Sequence, residues 1–143
     1  MATKLKHTKT IPVDIGKRYF VIYDSIFHRR IHVLLNHDSK SYAKWLSKMR
    51  AIEVDGSNFD DFAGFSSTVT PKSGPTEFVI FVREFEWSIK SQGTLIHEIV
   101  HTVMKIWDSN NIPHDLSTQE FLAHSIHNLY EDIARKLLVC QNK

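Results

Sequence analysis

In GTLIHEIVHTVMKIWD, residues Gly93 to Asp108, apolar side chains fall at Ile96, Ile99, Val100, Val103, Ile106 and Trp107. Intervals of three and four put them on one side of a helix that turns every 3.6 residues. The spacing predicts a helix from about Ser91 to Asp108. SNNIP then ends it, with Asn111 a candidate left-handed cap and Pro113 unable to continue the turn. A second helix is predicted from around Ser117 to about Leu138. Leu122, Ile126, Leu129, Ile133 and Leu137 form its core-facing stripe, and Ser117 followed three residues later by Glu120 spells a capping box.

Working back from Gly93, TEFVIFVREFEW (Thr76 to Trp87) reads as the strongest strand of the chain. It is apolar from Phe78 to Val82, then alternates Phe85 and Trp87 with Glu84 and Glu86. DGSNFDDFAGFSSTVTPKSGP, just before it, is rich in Gly, Ser, Asp and Pro and reads as turns and short strands. RYFVIY (Arg18 to Tyr23) and IHVLL (Ile31 to Leu35) have the β-branched and aromatic content of strands. DSKSYAKWLSKMR reads as a helix capped by Asp38 or Ser39, with Tyr42, Trp45 and Met49 on its core side. Residues 1 to 16 read as a polar lead-in.

The whole chain, 1 to 143, is therefore expected to form one α+β domain. It would hold a small, mostly antiparallel sheet, one helix near residues 38 to 50 and two C-terminal helices. A length of 143 residues suits a single core, and the 42% hydrophobic and 24% charged contents are those of a globular protein. No run approaches the roughly 18 apolar residues of a membrane helix. No apolar h-region follows the first lysines, so cytoplasmic residence is the expectation. The lone Cys140 excludes an internal disulfide and reads as an incidental thiol. Net charge is only +2, and the basic clusters KLKHTK and HRR are short and lack interleaved aromatics. No nucleic-acid groove is expected.

The predicted helix carries His97-Glu98-Ile99-Val100-His101. Histidines four apart stand one turn above each other and can share one ion at about 2.0 to 2.1 Å. Glu98 is rotated by about 100° from His97, which puts its carboxylate beside such an ion rather than on it. That is the place for a general base. Zinc lowers the pKa of a coordinated water to about 7, and an adjacent carboxylate can take its proton and later deliver it to a leaving amine. With nine His and seven Glu in 143 residues, chance alone produces an HExxH in roughly three per cent of such chains. The position of this one, on the clearest amphipathic helix just after the clearest strand, therefore carries more weight than the pattern itself.

Catalytic zinc keeps three protein ligands. The metzincin spacing fails, because Met104 and Trp107 stand where it needs Gly and His. His114, Glu120, His124 and His127 remain. Glu120 is the choice: 18 residues separate it from His101, enough to finish one helix, turn, and bring back the first turn of another.

Here the sequence resembles the gluzincins, the zinc peptidases that include thermolysin and the HExxH aminopeptidases, which share this interval. The resemblance covers about Trp87 to Tyr130. It implies a zincin-like fold, His97, His101 and Glu120 as zinc ligands, and Glu98 as general base. It also implies that the Phe78 to Phe85 strand is a sheet edge along which a peptide or protein substrate adds. Gln119 departs from the Asn usual before the third ligand. His124 stands where thermolysin-like members have an acidic residue, as a supporting group or as an alternative ligand. Tyr130, His127 and His114 are candidates to stabilise the oxyanion. The chain is similar in layout to small metallopeptidases of phage and prophage genomes. The alternative is an inactive zinc-binding regulatory or interaction module on the same scaffold. The other i, i+4 pair, His28 and His32 in HRRIH, lacks a carboxylate and abuts a strand, so it reads as structural or solubilising.

Overall fold

A computed structural model describes residues 15–49, 51–53 and 63–141. Most of the polar lead-in, and the first part of the Gly- and Ser-rich middle, lie outside the described residues. Five strands form one sheet: β1 (Arg18–Tyr23), β2 (Arg30–Leu35), β3 (Ala51–Glu53), β4 (Gly64–Pro71) and β5 (Glu77–Val82). Their order is β1-β2-β5-β4-β3. β2 and β5 run parallel, with Ile31 opposite Phe78 and Leu35 opposite Val82. The other pairings are antiparallel, so the sheet is mixed. Helix α1 (Ser39–Met49) lies between β2 and β3 in sequence, and α2 (Ile89–Ser109) and α3 (Gln119–Gln141) follow β5.

Alternation along the strands sorts side chains into two cores. Ile31, Val33 and Leu35 of β2 and Phe78, Ile80 and Val82 of β5 point to the face covered by α2 and α3. They meet Leu95, Ile99, Val103 and Ile106 from α2 and Leu129, Ile133 and Leu137 from α3. Leu34, Val79 and Phe81, with Phe65 and Val69 of β4, point the other way onto Tyr42, Trp45 and Leu46 of α1. The molecule is a helix, a sheet and a helix pair in three layers. Each fully buried Leu, Ile or Phe stabilises it by about 1.5–3 kcal/mol. No described helix is long and apolar enough to cross a membrane.

Three local expectations are corrected. The Thr76–Trp87 strand stops at Val82, because Asn36 captures the chain beyond it: Phe85 N–H donates to Asn36 Oδ1 at 2.6 Å and buries its ring. β5 is not a sheet edge either, since β2 and β4 occupy both of its sides. The Ser117–Glu120 capping box does not form. Ser117 gives both its N–H and its hydroxyl to Asp115, Leu122 N–H donates to the Thr118 carbonyl, and the Glu120 carboxylate lies near His124. Asp115 holds Ser117 in the turn before the helix, and the first helical bond starts one residue later, from Thr118.

The end of α2 follows its expected chemistry. Asn111 sits at φ 58°, Ile112 N–H donates to the Trp107 carbonyl and Asn111 N–H to that of Asp108. This is the paired bonding of a Schellman motif. Asp38 caps α1, its Oδ1 accepting Ser41 N–H at 2.7 Å.

His32 is fully buried on the α1 side of the sheet. Its Nδ1 lies 2.8 Å from the Tyr19 hydroxyl and its Nε2 3.2 Å from Glu77 Oε2, while its ring packs edge-on to Trp45. Burial holds its pKa below the ordinary histidine value, against the opposing pull of Glu77. The unfolded chain takes up that proton near pH 6.5 and the native chain resists it, so acidification below about 6.5 erodes the stability His32 contributes. The stability gap between wild type and His32→Phe is therefore expected to narrow from pH 7.5 to 5.5 in paired urea melts. A constant or widening gap would refute this account of the buried imidazole.

Candidate metal centre and its surroundings

α2 starts at Ser88, whose hydroxyl accepts Ser91 N–H. Its buried residues are Ser91, Leu95, Glu98, Ile99, Thr102, Val103, Ile106 and Trp107. This arc is rotated from the expected apolar stripe. Ile96 is 42% exposed, while Glu98 and Thr102 take inward positions. The cause is the close approach of β4 on that side. At Gly64 an added Cβ would stand 2.7 Å from the Phe81 carbonyl oxygen, 3.1 Å from Thr94 Cγ2 and 3.4 Å from Glu98 Cγ. Next along the strand, Ser66 Oγ lies 2.8 Å from Thr102 Oγ1 and Lys105 Nζ donates to the Ser66 carbonyl at 2.7 Å. The Thr102 hydroxyl donates a hydrogen bond to the Glu98 carbonyl at 2.8 Å. β4 is thus fastened along the Glu98 side of the helix.

His97 and His101 occupy the exposed face of α2, nearly opposite Leu95 and Ile106 at about 100° per residue. Their imidazoles converge: Nε2 to Nε2 is 3.1 Å, and the rings are inclined at 75°. Partial desolvation, then the neighbouring His97 and Lys105 charges, hold the His101 pKa below its ordinary value. That favours the neutral, ligating form. Glu98 is 6% exposed. Burial raises its carboxyl pKa, while His97 and Lys105 pull it back down.

α3 returns along α2, and Tyr130 Oη donates to Gln92 Oε1 at 2.9 Å. Equal rise along both helices then brings Glu120 about level with Thr102 and His124 about level with Glu98. The height matches the HExxH turn, but the direction does not. The side chains of Glu120 and His124 are 86% and 68% exposed and face each other at 3.5 Å. Among the described residues no third His, Cys, Asp or Glu joins His97 and His101 in a group that could hold a metal.

The remaining candidates are engaged elsewhere. The Tyr130 hydroxyl is on Gln92, and His127 Nε2 lies 2.8 Å from Glu131 Oε1. His114 packs edge-on to Trp107, with Nε2 3.4 Å from Asp108 Oδ1. That contact is an ion-pair distance without hydrogen-bond geometry, since the same nitrogen has no hydrogen-bond partner.

The sequence reading missed β4 as the strand beside the motif. FSSTV gives only a weak alternation, and no signal in the sequence marks its register against α2. The glycine at position 64 was the one available clue, since glycine in a strand often marks a close backbone approach.

No family model, curated protein or solved structure matches this chain.

Proposed function

We propose that this chain is a zinc-dependent peptidase in which His97, His101 and Glu120 hold the metal and Glu98 is the general base. One observation carries the reading: two nitrogens at 2.0–2.1 Å from a tetrahedral ion are separated by about 3.3–3.4 Å, and His97 Nε2 and His101 Nε2 stand 3.1 Å apart. Without metal the two rings share a hydrogen bond at that distance, and the same spacing lets both nitrogens turn their lone pairs onto one ion. Bound zinc supplies a Lewis acid and a water nucleophilic near neutral pH. Glu98, whose raised pKa suits proton transfer, takes a proton from the attacking water and passes it to the leaving amine. In this reading the exposed Glu120 carboxylate would leave its contact with His124 and turn toward the histidine pair.

The substrate in this proposal is a peptide or protein segment, but its place differs from the strand first expected. β5 has no open side. Among the described residues, β3 pairs with β4 from Val69 to Pro71, and the proposal puts the substrate along Gly64–Thr68, the part of β4 beside Glu98. Strand addition there would lay the scissile bond across the motif.

The test is zinc per purified chain by elemental mass spectrometry. About one zinc is expected in the wild type, with clear loss in His97→Ala, His101→Ala and Glu120→Ala. A wild type that stays metal-free after zinc resupply would sink the proposal. Retention in Glu120→Ala with loss in His124→Ala would move the third ligand to His124.

A second reading, a zinc-binding interaction module without hydrolytic activity, is favoured by the exposure of the histidine pair and by the ungathered third ligand. It predicts bound zinc and no cleavage of any peptide in a broad library.

A further inference from the structure

On the face of the sheet turned away from α2, side chains from three strands stand in line. The Tyr19 hydroxyl of β1 lies 2.8 Å from His32 Nδ1 on β2, and His32 Nε2 lies 3.2 Å from Glu77 Oε2 on β5. Strand register makes the line. Tyr19 opposes Leu34 and Val21 opposes His32, so Tyr19 reaches its imidazole along the diagonal, a span an aromatic side chain covers. Arg30 and Glu77 sit one residue before the Ile31–Phe78 pairing of the parallel strands, which sets the carboxylate beside both Arg30 and His32.

The hydrogen positions follow from the partners. Glu77 is 7% exposed, and its second oxygen lies 3.7 Å from Arg30 Nη1. Facing a carboxylate, His32 Nε2 bears the ring hydrogen; Nδ1 is then the acceptor, and the Tyr19 hydroxyl donates to it. The ends of the line differ in access. His32 is fully buried, whereas Tyr19 is 43% exposed. Phenol outermost, imidazole next and carboxylate behind is the order of nucleophile, base and orienting group in covalent catalysis, and tyrosine is one of the side chains that fill the first place.

The neighbours narrow the electrophile. An anionic donor such as a phosphate needs cations turned to it, and the guanidinium beside this line, Arg30, faces Glu77. Trp45 packs against the Tyr19 ring from α1, and Val21 and Tyr23 continue the same face of β1. These apolar and aromatic groups suit an uncharged donor.

We propose that Tyr19 is a nucleophile that takes the acyl group of an uncharged activated ester, with His32 as its base and Glu77 holding His32 in place. Tyr19 Oη attacks the acyl carbon as its proton moves to His32 Nδ1. The ester C–O bond breaks, the leaving oxygen takes that proton from Nδ1, and Tyr19 remains as an aryl ester. Glu77 stabilises the imidazolium between the two transfers. The site is independent of the metal centre and stands whether or not the chain is a peptidase.

Tyr23 is the internal standard for the test. It lies on the same strand, is 57% exposed, and opposes Arg30 rather than a histidine. The full chain is treated with p-nitrophenyl acetate near neutral pH, and the acetyl group on each tyrosine is followed by peptide mass mapping. Exposure alone would make Tyr23 the faster of the two. Tyr19 is instead expected to react about 10²- to 10⁴-fold faster than Tyr23, the usual worth of a positioned base. His32→Gln is expected to bring Tyr19 down to the Tyr23 rate. Glu77→Gln, which keeps the imidazole and its packing, is expected to slow Tyr19 at least about tenfold. Should His32→Gln fail to fold, Glu77→Gln and the wild-type ratio of Tyr19 to Tyr23 still decide the matter. Tyr19 reacting no faster than Tyr23 would overturn the proposal, as would an unchanged Tyr19 rate in Glu77→Gln.

Discussion

Replacing Glu98 with glutamine is expected to lower kcat/KM for peptide hydrolysis by about 10²- to 10⁴-fold, the usual worth of a positioned general base, while leaving zinc content unchanged. The same substitution is expected to raise the melting temperature of the metal-free protein at pH 7. Glu98 is buried beneath β4, and its pKa is raised chiefly by desolvation. The native state therefore binds this proton more tightly than the unfolded chain, whose carboxyl titrates near 4.3. Wild-type stability then falls as pH rises through the window from that value up to the raised native pKa. Glutamine carries no such charge. The stability advantage of the variant should shrink as pH is lowered and wild-type Glu98 becomes protonated. Loss of activity together with a gain in stability separates a functional carboxylate from a structural one. Full hydrolysis in Glu98→Gln would rule out its role as base.

The elements with strong periodicity were legible in the sequence. β1 matches RYFVIY from end to end, α2 extends only a turn or less beyond its predicted limits, and Asn111 takes the left-handed position proposed for it. The His97–Glu98–His101 spacing was legible for the same reason, because helical geometry alone makes the two imidazoles neighbours. What was not legible depends on long-range neighbours. β5 was expected at an edge, but its unbroken apolar run, buried at every position from Glu77 to Val82, is the mark of a strand covered on both faces. Burial of Glu98 was hidden too. A helical pattern gives the direction of a side chain and leaves open what stands opposite, and here Gly64 lets β4 come close enough to cover a carboxylate. Glu120 shows the limit from the other side: chain distance permitted a third ligand, and the helix pair supports its height, but spacing carries no information on which way the first turn of α3 faces.

The approach of β4 to α2 makes a second large effect testable. Gly64→Ala is expected to destabilise the protein by about 1–3 kcal/mol, the range for forcing an extra methyl into a packed site. The new Cβ would be 2.7 Å from the Phe81 carbonyl oxygen. That atom belongs to the backbone of β5, held between two strands, and cannot swing aside as a flexible side chain would. Relief must come from β4 shifting against β5, and that motion alters the cover over the Glu98 carboxylate. Gly93 is the internal control. It lies in the interior of α2 with nothing within 4 Å of an added Cβ, so Gly93→Ala is expected to stabilise by up to about 1 kcal/mol through helix propensity. Opposite signs for two Gly→Ala changes in one chain, measured by urea melts, would identify contact at Gly64 rather than backbone entropy as the cause. A Gly64→Ala protein as stable as wild type would mean that Gly64 is not pressed against the Phe81 carbonyl in solution.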